Sequence, residues 1–346
     1  MNMKASTVNK NKQSLIPKRA VALLVVLILL LGVCILASLL FGSRAISWAD
    51  IMNGLFHSEV DTHEANVVRQ RVVRTIFAIM CGGALGVSGA LMQSVTRNPI
   101  ADPSILGVNT GASFFVVCGI AFLHISSASQ YIWLAIVGAM LTAVFVYTVG
   151  SMGSGGATPL KLVLAGAATS AILSSLVSAI MIPRTNVMDE FRFWQVGSVG
   201  SGTWDSILIF LPFLLAGLLI ALMTAPALNA MLLGDEVATS LGVRIGLIRL
   251  FAAFGGVLLC GAATALAGPI GFVGLLATHV IRLMIGPDMR LMIPMSALTG
   301  AIILTFSDVC GRLLGSPGEL EVGVVTAFIG APILIFITMK AKVREI

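Results

Sequence analysis

Few residues in this 346-residue chain could do chemistry, and their spacing is unfavourable for most of it. His57, His63, His124 and His279 are scattered, and no H-E-x-x-H sets two imidazoles one helical turn apart for a metal. Cys34, Cys81, Cys118, Cys260 and Cys310 fall in apolar stretches with no CxxC pair, so they read as small hydrophobes. Gly153-Ser154-Gly155-Gly156 lacks the Lys-Ser/Thr that would reach a phosphate and Mg²⁺, and no G-x-S-x-G offers a nucleophile. His279, close to Arg282 in "ATHVIR", reads as a structural polar group near a helix end. Asp308 lies four residues before Arg312, the spacing of an ion pair on one helix face. Ion-coupled carriers usually need more acidic or paired ionisable groups near mid-membrane. These residues predict no catalytic site, no metal ligands and no cofactor.

One stretch departs from its apolar surroundings: "LLGDEVATSLGVRI", residues 232–245, with Asp235, Glu236 and Arg244. The elements around it are set by composition. The chain is 58% hydrophobic and 10% charged, with a mean hydropathy of +1.03; a soluble domain carries about 25% charged residues. Apolar runs recur at the roughly 20 residues needed to cross about 30 Å of hydrocarbon. They predict an all-α polytopic membrane protein, because the runs are too long and uniform for barrel strands. Ten spans are expected, near 20–42, 72–95, 105–125, 130–150, 162–182, 205–225, 247–267, 269–286, 291–312 and 322–339. The junction Leu266-Ala267-Gly268-Pro269 must join two of them with almost no loop. Segments 43–71, 183–204 and 313–321 have room for short surface helices.

Charge placement orients these spans. Lys4, Lys10, Lys12, Lys18 and Arg19 precede the first apolar run, which is continuous and lacks a small-residue cleavage site, so it reads as a retained span. The +6 net charge is thus a membrane signal, not one for nucleic acid. With the N-terminus inside, 14 of the 21 Lys and Arg fall on the inner side; Arg44, Arg69, Arg71, Arg74, Arg184, Arg192 and Arg312 fall outside. Both termini are expected to be cytoplasmic. The chain divides into a basic tail (1–19), one transmembrane domain (20–340) with a cytoplasmic segment near 229–246, and a second tail (341–346). Gly82, Gly86 and Ala90, and likewise Gly107 and Gly111, recur every four residues and are expected to let helices pack closely.

Residues 69–113, "RQRVVRTIFAIMCGGALGVSGALMQSVTRNPIADPSILGVNTGAS", resemble the signature of the FecCD-type iron–siderophore permeases. These are membrane subunits of ABC importers, and the vitamin B12 permeases are relatives. The resemblance continues, in the family's order, through "FRFWQVGSVGSGTW" (191–204), "LGDEVATSLGV" (233–243), "GPIGFVGLLATHVIRLMIGPDMR" (268–290) and "SDVCGRLLGSPGELEVGVVTAFIGAPILIF" (307–336). The last motif and "FRFWQVGS" look most like the ferric enterobactin permease subunits. Many family members carry proline where this chain has Val73, Thr278 and Glu321.

The resemblance implies a type II ABC importer permease fold with ten helices per subunit. It implies a homologous or identical second permease subunit, two ABC ATPase subunits and an extracytoplasmic siderophore-binding protein, all assembled in the cytoplasmic (inner) membrane. It assigns ATPase coupling to Gly234, Asp235, Glu236, Ala238, Leu241 and Gly242. Asp235 and Glu236 suit a helix N-terminus, Ala238 and Leu241 would offer a compact face to an ATPase groove, and Gly242 would end the helix. Arg71, Arg74 and Arg312 match positions expected to meet carboxylates of the binding protein, for which guanidinium forks are suited. Thr158 and Pro159, in "GGATPLKLVLAG" (155–166), match the inner gate. Arg97, Asn98, Pro99, Asp102 and Pro103 form an inner turn, chiefly a rigid connector. The expected function is passage of a ferric siderophore, a catecholate favoured, driven by a separate ATPase. Cobalamin or haem are alternative cargoes, an ion-coupled carrier is the rival class, and a membrane enzyme comes third.

Overall fold

The computed structural model describes residues 18–42, 46–57, 62–125, 128–153 and 158–340. Lys4, Lys10, Lys12, Arg44, Ser154-Gly155-Gly156, Lys342 and Arg344, and so most of both expected tails, lie outside the described residues. Among the described residues there are thirteen α-helices, one short 3-10 helix and no strand.

The helices are α1 (Lys18–Leu40), α2 (Trp48–Phe56), α3 (His63–Thr96), α4 (Val108–Leu123), α5 (Ala128–Ser151), α6 (Pro159–Met181), α7 (Thr185–Gln195), α8 (Trp204–Met231), α9 (Asp235–Ser240), α10 (Ile245–Ala267), α11 (Val273–Ile285), α12 (Met289–Leu314) and α13 (Val322–Lys340). Seven of them are long and apolar enough to cross a membrane, and α4, α11 and α13 supply three shorter apolar helices. Together they occupy the ten expected spans. Side chains chosen by the sequence start many of them: Ser47, Thr62, Thr158, Thr203 and Asp288 each accept a backbone N–H of the first turn.

Several boundaries differ from the expected ones. The second span begins at His63 rather than 72, because Thr62 caps it and Glu64 lies in its first turn. Its 34 residues reach about 51 Å, well beyond the hydrocarbon core. The sixth runs to Met231, past Pro226, instead of ending near 225. The eighth is helical only from Val273, because Gly268 (φ +74°) and Phe272 (φ +69°) take left-handed backbone. Short surface helices form at α2 and α7, whereas 315–321 holds none.

The core is built on α3, packed against α10, α11 and α12. Lipid gives apolar helices no hydrophobic reason to associate, so close backbone approach must do it. Gly82 faces the carbonyl of Gly300, Gly86 that of Ser296, and Gly89 that of Gly274; a methyl at any of them would collide with backbone. Gly111 plays the same part between α4 and α5, against Gly138 and Thr142. The four-residue spacing of Gly82 and Gly86 is therefore a packing device, whereas Gly107, expected on the same helix face as Gly111, stands before α4 in left-handed backbone (φ +71°). α1 runs parallel to α12, with Ser38 beside Arg312, so both helices finish at one end of the bundle. The short helix α9 lies at the other.

Candidate functional site

Two polar clusters stand at opposite ends of the bundle. At the first, α8 ends at Met231, and Gly234 (φ +108°) turns the chain into α9. Asp235 and Glu236 occupy the first turn of α9, where the N–H groups of a helix start favour acids. Asp235 is bonded to Arg97 and, at 3.1 Å, to Arg249 Nη2. These ties fix α9 to the ends of α3 and α10. Gly242 (φ +82°) closes α9: its N–H reaches the Thr239 carbonyl at 2.9 Å and the Val243 N–H reaches that of Ala238 at 3.0 Å. One expectation needs correction. Ala238 does not face outward; it is 0% exposed and packs into the core, while Leu241 (64%), Leu233 (66%) and Val237 (45%) form the outer apolar face. A helix of six residues must turn one side to the bundle, and here the smallest side chain fills that side.

The inner turn lies beside this segment. Arg97 takes left-handed backbone (φ +51°) where α3 ends, and its guanidinium bonds the Met231 carbonyl at 3.1 Å as well as Asp235. Asn98 Oδ1 accepts the Ile100 N–H at 3.1 Å, and Asp102 Oδ1 accepts the Ser104 N–H at 2.9 Å, with Pro103 starting the 3-10 helix Pro103–Leu106. The Asp102 carboxyl is pushed up by burial and pulled part of the way back by its bonds from Ser104. Asn229 completes this end by joining α8 to α12, donating to Asp288 at 2.6 Å and accepting the Met289 N–H at 2.8 Å.

At the opposite end, Arg71, Arg74 and Arg312 come together around a cavity of about 740 Å³, with Gln70, Glu319 and the loop Gly200–Trp204 on its walls. All three arginines have internal partners. Arg312, 2% exposed, donates to the Ser38 carbonyl at 3.0 Å, to Ser38 Oγ at 2.7 Å and to Asp308 at 3.0 Å. Arg71 donates to the carbonyls of Leu39 at 2.8 Å and Leu40 at 3.2 Å, which α1 leaves open where it ends. Arg74 grips the buried Asp308 through Nε and Nη2 and meets Glu319 through Nη1 at 2.6 Å. The expected Asp308–Arg312 pair is present, but it is one half of a bridge whose other half is Arg74. None of the three snorkels into open solvent.

The motif at 191–204 lies in this half of the bundle. Gly197 (φ +78°) and Gly268 sit where three backbones meet, with Ser198 N–H bonding the Ala267 carbonyl at 2.7 Å and Gly323 N–H that of Gly197 at 3.0 Å. Trp194 Nε1 donates to the Ala265 carbonyl at 3.4 Å, so this loop satisfies the carbonyls that α10 leaves open. Thr278, where many family members have proline, spends its hydroxyl on the Gly86 carbonyl at 3.3 Å.

Thr158 is the N-cap of α6, its Oγ1 accepting the Lys161 N–H at 3.4 Å, with Pro159 next in chain. Sequence reasoning passed over the helix that follows. Ser174, Ser175 and Ser178 are exposed on α6 beside Leu164, Ala167, Ala171 and Ile172. The i, i+1, i+4 serine spacing was the available signal, because hydroxyls on a span normally face protein or water. Among the described residues no group of three His, Cys, Asp or Glu could hold a metal, and the five cysteines are unpaired.

The profile of the FecCD transport family matches residues 28–340. The ferric enterobactin transport system permease protein FepD of Escherichia coli is 41% identical over 316 residues, covering 91% of this chain and 94% of that protein. The probable siderophore transport system permease protein YfiZ of Bacillus subtilis is 38% identical over 324 residues, covering 93% and 96%. Among solved structures, an inward-facing metal-chelate type ABC transporter superposes with a TM-score of 0.80 at 27% identity, over 93% of this chain and 99% of that one.

Proposed function

The chain belongs to the FecCD transport family, and from that membership we propose that it carries a ferric siderophore, a catecholate by preference, through the cytoplasmic membrane. It is an integral membrane permease of the ABC importer class, not an enzyme. The observation that carries the choice of cargo is the 41% identity to a ferric enterobactin permease over nearly the full length of both chains. Iron would stay inside its chelate, so the pathway needs to hold a bulky organic ligand and no metal.

In this reading a second permease subunit, homologous or identical, faces the serine-bearing side of α6, and the two enclose the pathway. Thr158 and Pro159, at the start of that helix, form the inner gate. The Asp235 end lies in the cytoplasm, together with both termini. Two ATPase subunits bear on α9 through Leu233, Val237, Leu241 and the acids Asp235 and Glu236. Ala238 sets how closely the helix sits against the bundle, and Gly234 and Gly242 set its ends. Arg97 and the turn through Asn98, Pro99, Asp102 and Pro103 pass displacement of α9 to α3 and α4. At the outer end a binding protein docks over the cavity lined by Arg71, Arg74 and Arg312. There Glu319, 39% exposed at its side chain, holds the one arm of Arg74 that an incoming carboxylate could take.

The test is competition in cells whose only importer contains this chain. Uptake of labelled ferric catecholate should be blocked by excess unlabelled catecholate and resist ferric citrate, cobalamin and haem. Inhibition by one of those instead would reassign the cargo. The gate is tested by a cysteine at Thr158, whose labelling should change with nucleotide; unchanged labelling would remove Thr158 from the gate.

A further inference from the structure

A second, smaller cavity of about 250 Å³ opens at the Asp235 end, between the ends of α3, α8 and α11. Its polar lining is Gln93, Ser94, Arg97 and Arg282. Gln93 is 0% exposed; its Oε1 accepts from Arg282 Nη2 at 3.1 Å, and its Nε2 has no partner. Arg282 Nε is likewise buried without a partner. Among the described residues no carboxylate forms an ion pair with Arg282. The nearby Asp235 is shared between Arg97 and Arg249, and Asp288 is engaged by Asn229.

A buried donor left unsatisfied costs about 1–3 kcal/mol, and more when it is charged. The side chains that carry these two donors, one of them cationic, are both among those that line the cavity. Ser94 adds a hydroxyl whose acceptor is only the thioether Sδ of Met289, a weak one, at 2.9 Å. Two guanidinium groups, a primary amide and a hydroxyl suit a tetrahedral oxyanion with several acceptor oxygens. The volume lies below the roughly 300–1,000 Å³ of sites for larger organic ligands, so it favours a small group. The mouth lies by the exposed Leu232 and Pro287, at helix ends where headgroups meet a span.

We infer that this cavity binds a phosphate group, supplied by an anionic phospholipid headgroup or by free phosphate. The experiment uses the purified full-length chain. Its thermal unfolding is followed in neutral detergent against inorganic phosphate, with sodium chloride at matched ionic strength. It is also followed in phosphatidylcholine nanodiscs with and without phosphatidylglycerol. Because phosphate stabilises folded proteins generally, the readout is the difference between wild type and Gln93→Leu or Arg282→Gln.

Either source should raise the wild-type midpoint, and each variant should weaken the apparent affinity at least about tenfold. A shift with phosphate alone assigns free phosphate; a shift with phosphatidylglycerol assigns the lipid. No shift in wild type with either, or equal shifts in wild type and Gln93→Leu, overturns the inference. Should Arg282→Gln not fold, the comparison with Gln93→Leu decides it.

Discussion

Arg74 and Asp308, 234 positions apart in the chain, meet through a two-pronged ion pair whose shortest contact is 2.7 Å, and Arg312 holds the other side of the same carboxylate at 3.0 Å. Asp308 is 2% exposed, so one buried acid is shared by two guanidinium groups, and among the described residues only Arg74 has a second acid, the more exposed Glu319. Removing the shared partner of a buried pair typically costs about 3–5 kcal/mol, because it strands charge. Asp308→Ala should therefore lower the thermal midpoint in detergent sharply, while Glu319→Ala, at the exposed arm, should change it little. Equal small effects would show that the cluster does not hold α3 to α12.

Helix contact at Gly86 gives a second prediction. Gly86→Ala places a methyl against the Ser296 carbonyl and should reduce the yield of monodisperse protein after solubilisation. Gly246 is helical, and a Cβ there would meet nothing within 4 Å. Gly246→Ala should leave the yield unchanged and add about 0.5–1 kcal/mol of stability. Size-exclusion profiles of the two variants decide it; a normal Gly86→Ala profile would mean the α3–α12 contact can open.

Asp102 predicts a pH dependence. Its carboxyl titrates above the ordinary carboxylate value in the folded chain. The folded state thus holds the proton more tightly than the unfolded state, and the ionised form carries a penalty. That penalty is complete above the raised value and disappears as pH falls through it toward the ordinary value of about 3.9. Asp102→Asn keeps a cap for Ser104 and removes the penalty. The variant should be the more stable at neutral pH, and its lead should shrink on acidification. Parallel midpoint curves for the two proteins would contradict this.

At α9 the prediction concerns coupling rather than stability. A side chain at Gly242 would meet no neighbour within 4 Å but would have to adopt φ +82°, so Gly242→Val strains the end of α9 without crowding it. In the assembled transporter it should leave ATP hydrolysis running while chelate uptake falls. Ala238→Leu should do the same by lifting α9 from the bundle. Normal uptake per ATP in both variants would make α9 a simple connector.

What the sequence disclosed, and what it did not, follows from the range of the forces involved. The start and stop of α9 were readable because Asp235, Glu236 and Gly242 act within one helical turn. The ten apolar spans were readable because bilayer thickness sets their length. The inward face of Ala238 was not, since it depends on how α8 and α10 pack around six residues. Nor was the double grip on Asp308, because Arg74 lies 234 positions away and nothing local marks the pair. The early start of α3 at His63 was missed for a different reason: charge-bearing turns such as 63–71 look like loop when hydropathy alone sets the boundary.

The most direct test is transport in proteoliposomes holding this permease with the proposed ATPase and binding protein. Labelled ferric catecholate should accumulate only with ATP inside the reach of the ATPase, and should cease when the ATPase is omitted or when this chain is left out. Accumulation driven by a proton or sodium gradient without ATP would contradict the account.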